Sequence, residues 1–74
     1  MHLSKKAEYA LRAMIHLGIA SEYQVAHVSG ADLAEANRLP LKFIERILQE
    51  LREAGVVDSR RGKLGGYFLA KDPG

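Results

Sequence analysis

After Gly55 the apolar residues of this chain change period. In most of the chain up to that point they recur at spacings of three and four, whereas residues 56–60 and 67–70 form two short runs separated by a glycine-rich stretch. The first spacing places side chains along one face of a helix, and short runs bounded by glycines are strands of a hairpin. A chain of 74 residues has room for one small core and no second domain. Helices followed by a hairpin must therefore share that core.

The helices can be placed by their start and stop signals. Ala7, Ala10, Leu11, Met14, Leu17 and Gly18 make one stripe of a first helix from Ser4, a plausible N-cap, to about Ala20. Residues 21–27 lose that period, and Val25, Ala26, His27 and Val28, which suit a very short strand or an extended connection, read as a strand. Ser29 with Asp32 three residues on resembles a capping box, so a short second helix follows through Ala36. Asn37, Arg38 and Leu39 make a turn, and Pro40 suits the first position of a third helix running to about Ala54. Gly55 fits the left-handed residue that ends it.

At about 100° per residue, Phe43, Ile44, Ile47, Leu48, Leu51 and Ala54 cluster on one side of the third helix. Lys42, Glu45, Arg46, Gln49, Arg52 and Glu53 occupy the other. The second and third helices, joined by a short turn, match a helix-turn-helix. That pattern is weak alone. With a helix before it and a hairpin tipped by Arg60, Arg61 and Lys63 after it, it becomes a winged helix-turn-helix: mostly α, three helices plus a two- or three-stranded sheet.

Such a fold binds DNA with its third helix in the major groove and its hairpin on the backbone or in the minor groove. Lys42, Glu45, Arg46 and Gln49 are the candidate base-reading residues. Arg donates two bonds to guanine, Gln pairs with adenine, and Glu accepts from cytosine. Arg61 is the leading candidate of the wing, since glycines beside it let the backbone approach a phosphate while an arginine reaches into a narrow minor groove. Lys5, Lys6 and Tyr9 are further candidates for phosphate contact. The bland alternatives are a solvated helix face laced by ion pairs and an ordinary hairpin loop. A protein–protein module of the same fold, docking a partner through the third helix, is the competing function.

Other chemistry finds little support. The chain has no cysteine, which removes disulfides, thiolate zinc sites and cysteine-ligated clusters from these residues. His2, His16 and His27 lack the paired carboxylates or histidines of a metal site, and residues 62–66 lack the Gly-Lys-Ser or Gly-Lys-Thr that ends a phosphate loop. No nucleophile motif is present, so no enzyme is expected. Glu8, Arg12 and His16 interrupt any signal-like apolar run, and no stretch approaches the roughly eighteen apolar residues of a membrane span. A reducing compartment, the cytoplasm, is the expected location. The formal net charge of +2 is too small to identify a nucleic-acid binder without the arrangement just described.

Three stretches carry a resemblance: residues 3–13 (Leu3-Ser4-Lys5-Lys6-Ala7-Glu8-Tyr9-Ala10-Leu11-Arg12-Ala13), residues 39–48 from Leu39-Pro40-Leu41-Lys42 to Ile47-Leu48, and Ala54-Gly55-Val56-Val57 with Ser59-Arg60-Arg61-Gly62 and Gly65-Gly66-Tyr67-Phe68-Leu69-Ala70. In order and spacing they resemble the N-terminal domain of the Rrf-two-type (IscR-like) bacterial transcription regulators. The resemblance implies a winged-helix repressor or activator that binds operator DNA as a homodimer. It likens Lys42, Glu45 and Arg46 to base-reading positions and Arg61 to the wing arginine of the minor groove.

The chain departs from that family in two places. The family wing usually continues Gly-Pro-Gly-Gly-Gly, where this chain has Gly62-Lys63-Leu64-Gly65-Gly66. Family members also continue into a long dimerisation helix, with three cysteines near it in the cluster-binding members. The 74 residues therefore read as the N-terminal DNA-binding part of a longer regulator, with Lys71, Asp72, Pro73 and Gly74 opening a linker. No cofactor is expected in this chain, and an iron–sulfur cluster only in a longer protein. Double-stranded DNA is the expected partner, with homodimerisation in the full-length form and a monomer compatible with this stretch alone.

Overall fold

A computed structural model describes residues 3–62 and 65–70. Three helices, α1 (Lys5–Glu22), α2 (Gly30–Asn37) and α3 (Leu41–Glu53), precede two strands, β1 (Val57–Arg60) and β2 (Gly66–Leu69). Ser4 caps α1 by accepting from the Ala7 amide at 3.1 Å, and Ser29 caps α2 by accepting from the Asp32 amide at 3.0 Å. Pro40 stands one position earlier than expected. It is the N-cap of α3, with extended ψ of 143°, and Leu41 is the first helical residue. A proline ring tolerates either place, since neither requires its missing N–H.

All three helices close in a similar way. In each, a left-handed residue, the cap itself in α2 and the residue after it in α1 and α3, donates to a carbonyl three residues back, and the next amide reaches five residues back: Val25 to Ala20, Leu39 to Ala34 and Val56 to Leu51. Gly55, at φ 84°, is the one glycine of this set. Gln24 and Arg38 hold φ of 63° and 55°, conformations that cost a residue with a Cβ about 1 kcal/mol.

Each helix and β1 contribute to the core, which is built from Ala13, Leu17, Val28, Leu33, Ala34, Ile44, Ile47, Leu48 and Val57. Ile44, Ile47 and Leu48 hold α3 down, and burying each is worth roughly 1.5–3 kcal/mol before entropy is counted. Ala54, expected on that apolar face, is exposed, because it lies past the last turn of α3. On α1, by contrast, Leu11, Ile15 and Ile19 form an apolar row about half exposed to solvent.

The strands pair antiparallel, Val57 with Leu69 through Arg60 with Gly66. The extended connection before α2 adds a single bridge, with the Val28 amide donating to the Tyr67 carbonyl at 2.9 Å and the Tyr67 amide to the Val28 carbonyl at 2.7 Å. The sheet is therefore two-stranded, with one residue of a third. Gly66 makes this approach feasible, since a Cβ there would lie 2.7 Å from the Val28 carbonyl.

A candidate DNA interface

α2 and α3 pack on one another, and the hairpin folds back against α1 and α3. The place where these parts meet is Gly30, the first residue of α2. A methyl group there would touch Leu41 and Tyr67, each at 3.6 Å, and the Glu45 side chain at 3.9 Å. The opening of α2, the outward side of α3 and the base of the wing thus converge within one side chain's length.

Lys42, Glu45, Arg46 and Gln49 are all exposed along α3. None of their charged groups takes part in a salt bridge among the described residues. The ion-paired surface considered from the sequence is therefore not formed on this helix. The wing cations divide. Arg60 is the last paired residue of β1 and lines a shallow open groove with Ala26, His27, Ser59 and Phe68, while Arg61 lies beyond the pairing at the exposed tip. Lys63 lies outside the described residues, as do His2 and the stretch 71–74.

The first helix is different. Lys6 forms an ion pair with Glu50 of α3 at 2.6 Å. Arg12 pairs with Glu8 at 3.1 Å and sits 5.7 Å from the Tyr9 ring centroid. Tyr9 itself packs edge-on against Phe43, with centroids 5.7 Å apart. Lys5 is exposed on the first turn. Of the three candidates on α1, Lys6 and Tyr9 thus have structural engagements inside the domain. The Glu50 partner is invisible to sequence reading, because it lies 44 positions along the chain from Lys6.

Sequence reasoning also passed over Arg38 as a charge. It is exposed, unpaired among the described residues, and stands in the turn that leads into α3. The signal was its place between two helical patterns, three residues before Leu41.

Comparison with known proteins decides the family: the description "Rrf2: Iron-dependent Transcriptional regulator" matches residues 3–74. The chain belongs to the Rrf2 family. A protein of Mycobacterium tuberculosis named as an HTH-type transcriptional regulator is 47% identical over 71 residues, covering 96% of this chain and 43% of its own length. The regulator IscR of an Enterobacter species is 39% identical over 74 residues, covering all of this chain and 44% of its own length. Among solved structures, IscR of T. potens superposes with a TM-score of 0.81 at 37% identity, over 99% of this chain and 52% of that one. CymR, the global cysteine regulator of B. subtilis, gives 0.84 at 36% identity, over 99% and 55%. The chain thus spans less than half the length of these curated relatives, and its three helices with an antiparallel hairpin form the winged helix-turn-helix of the family.

The iron in the family description can be tested against the donors present. The chain has no cysteine, and among the described residues no three His, Asp or Glu side chains gather where a metal could sit. These residues do not fit an iron or iron–sulfur site. Among the described residues no helix is long and apolar enough to cross a membrane.

Proposed function

We propose that this chain is the operator-binding part of a transcriptional regulator, placing α3 in the major groove of double-stranded DNA and the hairpin tip on the minor groove or backbone. One observation carries this reading: the exposed cations of α3 and the wing have no carboxylate partners among the described residues. Unpaired cations on adjoining elements suit a polyanion that supplies the missing charge.

In this reading Arg46 donates to guanine, Gln49 pairs with adenine, and Lys42 contacts guanine or the backbone. Glu45 accepts from the cytosine amino group. A carboxylate among phosphates is costly without such a donor, so Glu45 discriminates between sequences more than it adds affinity. Arg61 enters the minor groove, with Arg60 and Lys63 contributing to the wing's charge. The docking of a protein partner on α3 is less well supported, because Lys42, Glu45, Arg46 and Gln49 are a poor interface core. The whole regulator would act as a cytoplasmic homodimer, with the pairing element and any cluster ligands outside these residues.

The test is fluorescence-anisotropy binding to duplex DNA across a salt series, comparing the wild type with Arg46→Ala and Arg61→Ala. Binding that falls steeply with salt and is weakened by both substitutions supports the proposal. A single domain has a small footprint, on the order of 600–1,000 Å². If binding is undetectable, the measurement is repeated with the domain fused to an unrelated dimerising coiled coil, and silence there rejects the DNA reading.

A further inference from the structure

Arg38 occupies a backbone position that favours glycine. Its φ of 55° and ψ of 44° are left-handed, and its amide and that of Leu39 turn back onto Glu35 and Ala34 to close α2. The closure is needed for packing: it swings Leu39 back to the core beside buried Ala34 and sets Pro40 to cap α3. The conformation alone does not mark a function, since Gln24 holds the same one at the end of α1. Location and charge separate the two. Gln24 is neutral and lies in the connection between α1 and α2. Arg38 is cationic, exposed and unpaired among the described residues, and it immediately precedes the end of α3 that carries Lys42.

When a helix-turn-helix docks, the N-terminal residues of its second helix approach the base edges. The turn before them then stands at the rim of the groove, where phosphates pass. Resting on the DNA reading above, we propose that Arg38 is an additional phosphate clamp, contacting the backbone at the rim of the groove that receives α3. Its contribution is affinity without sequence preference, in contrast to Arg46 and Glu45, which face the bases. An exposed guanidinium on a three-carbon stem reaches a phosphate without displacing the turn, and bidentate donors suit it to that anion.

The left-handed backbone makes the test clean. Arg38→Gly removes the charge while relieving the Cβ penalty, so this variant folds at least as well as the wild type. Binding of the 74-residue chain, dimerised through a fused coiled coil if needed, is measured on fluorescein-labelled duplexes of several unrelated sequences over a salt series. Arg38→Gly should lower the slope of log affinity against log salt by about 0.9 and weaken binding roughly tenfold at low salt, equally on every duplex. Arg38→Lys should keep most of the slope, and the thermal midpoint of Arg38→Gly should stay level or rise. Unchanged affinity and slope in Arg38→Gly, with Arg61→Ala still weakened, overturn the clamp and leave the DNA reading standing. A loss confined to one duplex overturns it in favour of base reading, and a fallen thermal midpoint in favour of a structural role. Absence of binding by the dimerised wild type overturns both proposals.

Discussion

The outer faces of α1 and α3 use their charges in opposite ways. On α1, Lys6 and Arg12 are held by Glu50 and Glu8, and the surface between them and the end of the helix is an apolar row of Leu11, Ile15 and Ile19. On α3, Lys42 and Arg46 stand exposed without salt bridges among the described residues, and Arg61 on the neighbouring wing does the same. Counting cations would rank the two helices alike. Their pairing distinguishes them: two of the three cations of α1 already face a carboxylate that a phosphate would have to displace, with Lys5 the exception, whereas Lys42 and Arg46 face none among the described residues.

The comparison can be broken most severely at its shared support. Leu48 is fully buried in the core on which α1 and α3 both rest. Leu48→Ala should cost about 2–5 kcal/mol in chemical denaturation, with DNA binding lost in step with folding. Gly66→Ala should cost about 1–3 kcal/mol, because its methyl group meets the Val28 carbonyl at 2.7 Å and the wing must move. Retention of both stability and DNA affinity would show that the wing's seating on Val28 is dispensable.

Smaller changes sharpen the contrast. Arg46→Ala should weaken binding to a selected sequence by about 1–3 kcal/mol, with less effect on mixed DNA and no loss of stability. Lys6→Ala should leave DNA affinity and its salt dependence nearly unchanged. The coupling of Lys6 and Glu50 in a double-mutant thermal cycle should be about 0–1 kcal/mol, as both side chains are substantially exposed. A salt slope that falls as much for Lys6→Ala as for Arg61→Ala would erase the distinction between the two faces.

The sequence reveals features whose cause is local. Ser4 and Ser29 announce their helices because a hydroxyl three residues from an amide caps it, and Gly55 ends α3 because it is free to be left-handed. The stripe of Ile44, Ile47 and Leu48 is equally plain, and it leaves Lys42, Glu45, Arg46 and Gln49 facing outward. Features that depend on distant partners escape such reading. The sequence puts Gly66 in the turn and the strands at residues 56–60 and 67–70, whereas Gly66 opens β2 opposite Arg60, Val56 and Ala70 lie outside the strands, and the contact of Gly66 with Val28 arises only when the hairpin folds back. The engagement of Lys6 by Glu50 requires α1 and α3 to be already packed. Arg38 is hidden for another reason: packing of Leu39 forces a left-handed backbone on a residue whose own preference is against it.

The bridge from Val28 to Tyr67 also sets an order of assembly. A two-stranded ribbon alone is marginally stable in water, so β1 and β2 gain persistence from Val28 and from the helices they pack against. That contact closes a loop spanning more than half of the chain, a step whose entropic cost is met only after α1, α2 and α3 have begun to pack. By this reasoning the wing is expected to form late in folding, and a nascent chain still short of Tyr67 would hold α3 without the hairpin beside it.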